Sequence, residues 1–408
     1  MKILYVSETY EPDHGGMPTL LKNFTRGLAA EGQDIRLWTR GDRDDSYQET
    51  LGGVVIYRQR SKPYRLNPGH RITTACRQGL KDIMAQWQPD VIHIHIFPSP
   101  ITAAALVYAR RHRIPVVVTN HAMPENYRNV VTFKLPNAVE KVLFPLIWRY
   151  LVSICNRATL VTTPTPTALG YLKAAGLKRP SQAISNGIDT ELYKPVPKTS
   201  SIREKFHLPT DKPLLLYLGR LDGEKMVEVI IGALPHLNSG YHLAITGSGN
   251  FERQLKDLTA KLSLEQNVTF TGVVSNEDKV ALYQNADVFV IASPAELQSI
   301  VTLEAMSCGL PIVVVAAGAL IELCVSGSNG LLFKAGDSLD LANQLNTLIE
   351  SEQLRTSYGA ASRRLVETSH SLHATILAYE AAYTGITGVS AAAVASSSEP
   401  TTTISGKI

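Results

Sequence analysis

Cysteine is scarce in this chain. Cys76, Cys155, Cys308 and Cys324 are the whole complement in 408 residues, and no two stand at a paired spacing. That excludes a disulfide framework and a thiolate zinc site and fits a reducing compartment. Long apolar runs are also missing: no uninterrupted stretch approaches the ~20 residues that a membrane-spanning helix needs. The first residues, Met1, Lys2, Ile3, Leu4, Tyr5 and Val6, form a strand pattern without a separate charged region or cleavage site, so no secretory signal is read there. These absences lead to the expectation of a cytoplasmic protein, with peripheral attachment to the inner face of a membrane left open. Neither sign of charge dominates, with 40 Lys and Arg against 36 Asp and Glu, and no nucleic-acid partner is expected.

What is present is an ordinary soluble composition, 44% apolar and 19% charged, in a chain too long for one typical core. Two domains are the simplest division. The charges are unevenly placed: residues 1–200 carry 26 Lys and Arg against 15 Asp and Glu, whereas residues 201–408 carry 14 against 21. Either the first half meets something anionic, or surfaces of opposite sign help the two domains approach.

Short β-branched runs alternate with longer amphipathic segments, the pattern of a parallel sheet wrapped by helices. First-half strands are expected at residues 2–7, 34–39, 54–57, 90–96, 115–119, 159–163 and 181–185, with a helix over 19–30 stopped by Gly32. Residues 185–189 read as a turn, and the stretch from Pro195 and Pro197 into Lys, Thr and Ser reads as a linker. A second series follows at 213–218, 241–246, 268–271, 287–292, 311–315 and 331–333. After about Asp337 the chain reads as helical to near Tyr383. From Thr384 onward Ala, Ser, Thr and Gly predominate, the composition of a disordered tail.

The most informative segment lies just after the strand ending at Ile291. It begins Glu296-Leu-Gln-Ser-Ile-Val-Thr-Leu-Glu304 and runs on through Cys308, Gly309 and Pro311. Glu296 is expected in the loop at the carboxyl end of that strand. Glu304 belongs on a short helix that Gly309 and Pro311 terminate. Such loops are where parallel sheets bind ligands, and a helix opening near Ser299 turns free backbone N–H groups toward a phosphate. Carboxylates flanking that opening suit a nucleotide sugar, one accepting from sugar hydroxyls and the other from ribose hydroxyls. Two glutamates eight apart are by themselves a common surface pattern; their neighbours carry the weight.

The segment resembles the E-x7-E motif of family-4 retaining glycosyltransferases, which adopt the GT-B fold. Gly219-Arg-Leu-Asp-Gly-Glu-Lys225, after the strand ending at Leu218, resembles the G-R-x-x-x-E-K element whose Arg and Lys contact the donor diphosphate. Two cations at a strand end can neutralise a pyrophosphate and the charge it develops on leaving. Weaker matches are Gly15-Gly16, similar to the family's glycine loop, and His121 in Thr119-Asn120-His121, similar to its strand-end histidine near the reacting sugar. Asn186-Gly187-Ile188-Asp189 resembles its crossover turn. Departures are Ser299, where many members have Gly and where a side chain can cap the helix, and Met226, where Gly or Asn is common.

The resemblance implies an α/β protein of GT-B fold, two Rossmann-like domains facing across a cleft. Residues 1–192 form the acceptor-side domain and 193–370 the donor domain. A helix over 371–387 packs back on the first domain, and 388–408 form the tail. It implies a retaining transfer of a hexose from a UDP- or GDP-linked donor to a hydroxyl acceptor. The catalytic set is His121, Arg220, Lys225 and Glu296. The donor-binding set is Gly15, Gly16, Arg220, Lys225, Gly247, Glu296, Ser299, Ile300, Val301 and Glu304. The nucleotide sugar is a co-substrate, and neither a cofactor nor an obligatory metal is expected.

Two other patterns are set aside. Asp42-Arg43-Asp44 is formally a D-x-D, but its polar neighbours read as a solvated loop. His93 and His95 share one strand face, too few ligands for zinc, and read as packing. On the acceptor side, Arg58, Arg60, Lys62, Arg65 and Arg71 around Tyr57 and Tyr64 suggest a loop seated on anionic lipid. The stretch 134–157 mixes basic and apolar residues in the same way, with Lys134, Leu135, Val139, Lys141, Phe144, Leu146, Arg149 and Tyr150, but 139–151 reads rather as an inner helix of the first domain. The phrase over 120–126 resembles a subgroup associated with lipid or envelope glycoconjugate synthesis, which makes a membrane lipid one expected acceptor. A nucleotide-sugar epimerase on the same fold and a catalytically silent nucleotide-sugar-binding subunit are the alternatives.

Overall fold

The computed structural model of the chain describes residues 1–13, 16–64, 67–95, 99–121, 137–238 and 240–388. Gly15, Arg65, residues 122–126, Lys134, Leu135 and the tail beyond 388 lie outside the described residues, as do the side chains of Tyr64, Val139, Lys141 and Phe144. The chain divides into two compact units. The first is Met1–Thr163, Leu172–Ile184 and Ile376–Ile408; the second is Pro164–Tyr171 and Ser185–Thr375.

The first unit holds β1 (Lys2–Ser7), β2 (Asp34–Arg40), β3 (Tyr47–Leu51), β4 (Val54–Gln59), β5 (Ser61–Tyr64), β6 (Asn67–Thr73), β7 (Val91–His95), β8 (Val116–Thr119), β9 (Leu160–Thr163) and β10 (Ser181–Ala183). Eight of these form one sheet in the order β10-β9-β8-β7-β1-β2-β4-β3, while β5 and β6 pair as a separate ribbon. Neighbours in the sheet run parallel except β3 against β4. Its central strands are buried on both faces, which is why they read as unbroken apolar runs.

The second unit holds β11 (Leu214–Leu218), β12 (His242–Thr246), β13 (Val268–Gly272), β14 (Val288–Ile291), β15 (Ile312–Val315) and β16 (Gly330–Phe333), all parallel, in the order β13-β12-β11-β14-β15-β16. This is the doubly wound order, with the direction of winding reversing between β11 and β14. In the first sheet it reverses between β1 and β7. Ligands of such sheets bind outside the carboxyl ends of the strands at these reversals. Each unit therefore has one place where a ligand is expected.

Several segments differ from the sequence reading. Strands β3, β5 and β6 occupy a region that reads as loop. β3 is a polar edge strand of alternating exposure, and β5 and β6 contain Pro63 and Pro68, which an edge ribbon tolerates. The helix expected from residue 19 begins at Gly16, whereas the helix expected over 371–387 is found at Leu372–Thr387, where the Thr387 hydroxyl donates to Tyr383 O at 2.8 Å. The stretch read as a linker is packed on the second unit: Thr199 N donates to Asn285 Oδ1 at 2.8 Å, and Lys198 pairs with Asp287. Pro164–Tyr171 and the residues from Ser185 group with the second unit, not with the first.

Candidate active site

In the second unit the reversal is built from the ends of β11, β12 and β14. The chain leaves β11 through Gly219, whose N–H donates to Thr246 O at 3.0 Å, and Leu221 N donates to Ser248 O at 2.9 Å. These bonds bring the exits of β11 and β12 so close that a Cβ on Gly247 would stand 2.0 Å from Gly219 O. Gly247 also has a φ of +128°, a conformation that glycine adopts without strain. Gly247 thus shapes the turn carrying Arg220 and Lys225.

Lys225 ends a short 3-10 turn, Gly223–Lys225, and its Nζ donates to Glu296 Oε1 at 2.7 Å. Both side chains are only about one-seventh exposed, 15% and 14%. Arg220 is half exposed and pairs with Asp222 and Glu224 on its own loop. The two cations therefore stand differently: Lys225 is tied to the β14 exit, while Arg220 lies at the surface on its own acidic partners.

The Glu296 loop is held from several sides. Leu297 O accepts from the Thr165 hydroxyl at 2.8 Å, and Gln298 takes Asn186 N on Oε1 at 2.8 Å and donates to the Ser185 hydroxyl at 3.0 Å. Gly318 lies against it, where a Cβ would stand 2.7 Å from Pro294 O. The helix Ile300–Ser307 opens directly after Ser299. The Ser299 hydroxyl does not cap it, contrary to the sequence expectation. Buried at the helix start, it accepts instead from the Thr302 hydroxyl at 2.8 Å.

Glu304 sits on this helix and is 4% exposed. Lys279 Nζ donates to its Oε1 at 2.8 Å and the Tyr283 hydroxyl to its Oε2 at 3.0 Å. Burial, with the Glu304 charge beside it, pushes the Tyr283 hydroxyl pKa well up and keeps it a donor. Sequence reasoning found the carboxylate but not its partners, which stand on another helix, Asn276–Asn285. Ile300 and Val301 open the helix and are half-buried against the core.

In the first unit His121 follows β8 and is half-buried. Its Nε2 lies 3.0 Å from His95 Nδ1, and the two rings stack with an interplanar angle of 8°. His93 is fully buried, with Nδ1 2.7 Å from the Tyr383 hydroxyl and Nε2 2.6 Å from the Thr119 hydroxyl. Tyr379 adds contacts to Thr119 and Thr162, both at 3.2 Å. Burial lowers the pKa of all three histidines, His121 to about 4, so they are neutral near pH 7. At the end of β1, Glu8 is also buried, and burial raises its carboxyl pKa. Sequence reading reached His121 but treated His95 as packing and did not anticipate Tyr379, Tyr383 or Glu8. Gly16 opens its helix with nothing within 4 Å of a Cβ there.

The remaining features resolve simply. Asp42 accepts from the Tyr47 hydroxyl at 2.7 Å, and Asp44 pairs with Arg71 at 2.6 Å, so the D-x-D carboxylates are engaged separately. No group of three or more metal-ligating side chains occurs among the described residues. The basic cluster expected to face lipid is partly internal. Arg58 is 5% exposed, bound to Glu49 at 2.7 Å and to Glu11 O, because both faces of β4 are covered at this end of the strand. Arg60 and Lys62 remain exposed. On the helix Asn137–Cys155, Leu151, Val152, Ile154 and Cys155 are buried, whereas Leu146, Arg149 and Tyr150 are exposed on one side. No helix among the described residues is long and apolar enough to cross a membrane.

Comparison with known proteins identifies the family of the chain. The family model described as Glycosyltransferase Family 4 matches residues 14–192, and that described as Glycosyl transferases group 1 matches residues 198–365. The sulfoquinovosyl transferase of Arabidopsis thaliana is 26% identical over 358 residues, 86% of this chain and 67% of its own length. The alpha-monoglucosyldiacylglycerol synthase of Acholeplasma laidlawii is 27% identical over 357 residues, 83% of this chain and 86% of its own. Among solved structures, the sucrose-phosphate synthase of Thermosynechococcus elongatus superposes with a TM-score of 0.75 at 21% identity, covering 95% of this chain and 99% of that one. Anabaena HepE in complex with UDP-glucose gives 0.73 at 20% identity, covering 94% and 100%.

Proposed function

The chain belongs to glycosyltransferase family 4 and has the GT-B fold, and from that premise we propose that it moves a hexose from a UDP- or GDP-linked donor to a membrane-lipid hydroxyl with retention at the anomeric carbon. The carrying observation is the Lys225–Glu296 pair at the strand reversal of the second unit, beside Arg220. In this reading Arg220 and Lys225 neutralise the diphosphate as it departs. Glu296 accepts from hydroxyls of the transferring sugar, and Glu304 accepts from the ribose. The opening turn of the helix Ile300–Ser307, with Ser299, Ile300 and Val301, faces phosphate or sugar oxygens, as does Gly16 of the first unit. Gly247 holds the Arg220 turn in place.

In the first unit, His121 is the group assigned to the reacting hydroxyls. Neutral imidazole suits a hydrogen bond to a hydroxyl without adding a charge. The lipid acceptor is favoured by the name of one relative, an alpha-monoglucosyldiacylglycerol synthase. It is also favoured by the exposed Leu146, Arg149 and Tyr150 side of one helix, a mixture suited to an anionic interface at the cytoplasmic face. No step in this scheme needs a metal ion or a further cofactor.

The test is incubation of the protein with UDP- and GDP-hexoses and a lipid extract, with products identified by mass spectrometry and anomeric configuration by NMR. A lipid glycoside of the donor's own anomeric configuration is expected, formed faster with anionic vesicles and less so at high salt. An inverted product, or an epimerised nucleotide sugar with no new glycoside, would overturn the proposal.

A further inference from the structure

His95 Nδ1 lies 3.0 Å from His121 Nε2, and His95 Nε2 is buried with no hydrogen-bond partner. The orphaned nitrogen decides where the proton of His95 sits. A neutral imidazole carries one N–H and one lone pair. Were the proton on Nε2, a buried N–H would have no acceptor, and such groups are rarer and costlier than an unused lone pair. The proton therefore belongs on Nδ1, the nitrogen that faces His121.

From this geometry we infer that His95 is a positioning residue: its Nδ1–H donates to His121 Nε2 and so fixes His121 as the tautomer that carries its proton on Nδ1. This rests on the assignment of His121 to the reacting hydroxyls. It deepens that reading, because it makes His121 a hydrogen-bond donor toward a sugar or acceptor oxygen and not an acceptor. The surroundings hold the arrangement. The His95 and His121 rings are stacked at 5.1 Å, His93 stacks on the other side of His95 at 4.5 Å, and Tyr5 lies 5.8 Å from the His95 ring. His93 cannot compete for the His95 proton, since both of its nitrogens are taken by Tyr383 and Thr119. Second partners of this kind set the tautomer and orientation of a working imidazole.

The test is a multiple-bond 1H–15N correlation spectrum of the full-length, 15N-histidine-labelled protein at pH 7.5, where 15N shifts distinguish N–H from lone-pair nitrogens. The chain has eleven histidines, and a His121→Asn sample identifies the resonances of His121 by subtraction. In the wild type, Nδ1 of His121 should read as N–H and Nε2 as a lone pair. His95→Phe keeps a ring in the stack but removes the donor, and His121 should shift toward the Nε2–H form. His95→Asn, whose amide N–H falls near the lost Nδ1–H, should restore the wild-type pattern. Should the Phe variant not fold, His95→Gln, with its amide at the other end of the ring's position, takes its place. An Nε2–H form of His121 in the wild type, or a spectrum unchanged by removing the donor, would overturn the inference. The measurement needs no substrate, so its failure and a failed transfer assay are distinguishable.

Discussion

Lys225 reaches from the β11 exit to Glu296 beyond β14 and holds its carboxylate at 2.7 Å, so one ion pair spans the strand reversal of the second sheet. A pair of this exposure is neither a solvated surface contact nor a fully buried one. It keeps a cation and a carboxylate in fixed positions, those that the proposed function gives to the diphosphate and the sugar. Such preorganisation lets charge that develops on a leaving group meet a donor already in place.

Replacing Lys225 by Ala should therefore remove a contact that strengthens as the diphosphate leaves. A fall in kcat of roughly a hundredfold or more is expected, the usual size for one preorganised donor. Glu296→Ala should be comparably damaging and should also raise KM for the donor. Initial rates on the active donor, with circular dichroism to verify folding, provide the check. Full activity in both folded variants would remove these residues from the site.

Gly247 and Gly16 should behave oppositely. A Cβ on Gly247 would meet Gly219 O at 2.0 Å in a backbone of positive φ. Gly247→Ala should cost about 2–3 kcal/mol and lower Tm. Gly16→Ala meets open space in the first turn of a helix, so stability should hold or rise by about 0.5–1 kcal/mol. If the backbone there approaches the substrate, transfer should fall while Tm does not. Thermal melts beside rate measurements separate the two cases, and unchanged transfer in Gly16→Ala would detach that glycine from the substrate.

How much of this was legible in the sequence follows from the range of the interactions. Arg220, Lys225 and Glu296 could be placed because each follows, by seven residues or fewer, a strand end that periodicity marks, and Glu304 because it stands eight residues beyond Glu296 on the helix that follows. The partners of Glu304 and of His121 could not. Lys279 and Tyr283 belong to a different helix, and the proximity of His95 to His121 depends on the register of β7 against β8, where His95 pairs with Thr119. Tyr379 and Tyr383 come from nearly 300 residues beyond His93 in the chain. The basic stretch from Arg58 misled because charge suggests solvent, whereas β4, covered on both faces at this end, buries Arg58 against Glu49.

Acid should weaken the second unit through His242. Burial, with the Lys212 and Arg203 charges nearby, lowers the pKa of this ring from 6.5 to about 4. The unfolded chain thus takes up a proton near pH 6.5 that the folded protein refuses until about pH 4. Its stabilising contribution is whole above pH 6.5 and drains away as pH falls toward 4, by at most about 1.4 kcal/mol per pH unit. His242→Gln can keep the bond that Nε2 makes to the Thr269 hydroxyl at 2.8 Å but does not titrate. Urea midpoints measured from pH 7.5 to 4.5 should fall less steeply for the variant. Parallel slopes would show that this histidine is not responsible.

Glu304 offers a sharper division between structure and substrate. Lys279 and Tyr283 each occupy one carboxylate oxygen, but every carboxylate oxygen has a second lone pair, so ribose hydroxyls can be accepted without displacing either partner. Tyr283→Phe removes one hydrogen bond to a buried carboxylate and should cost about 1.5–3 kcal/mol, with nucleotide affinity little changed. Lys279→Met leaves a carboxylate of 4% exposure without its cation and should cost about 3–5 kcal/mol. If Glu304 also holds ribose, that variant should in addition bind UDP and GDP less tightly, because the carboxylate is no longer fixed where the ribose meets it. Urea denaturation and calorimetric titration with each nucleotide measure the two effects separately. A Lys279→Met protein that is destabilised yet binds both nucleotides as the wild type does would assign Glu304 to the core and leave the ribose to other groups.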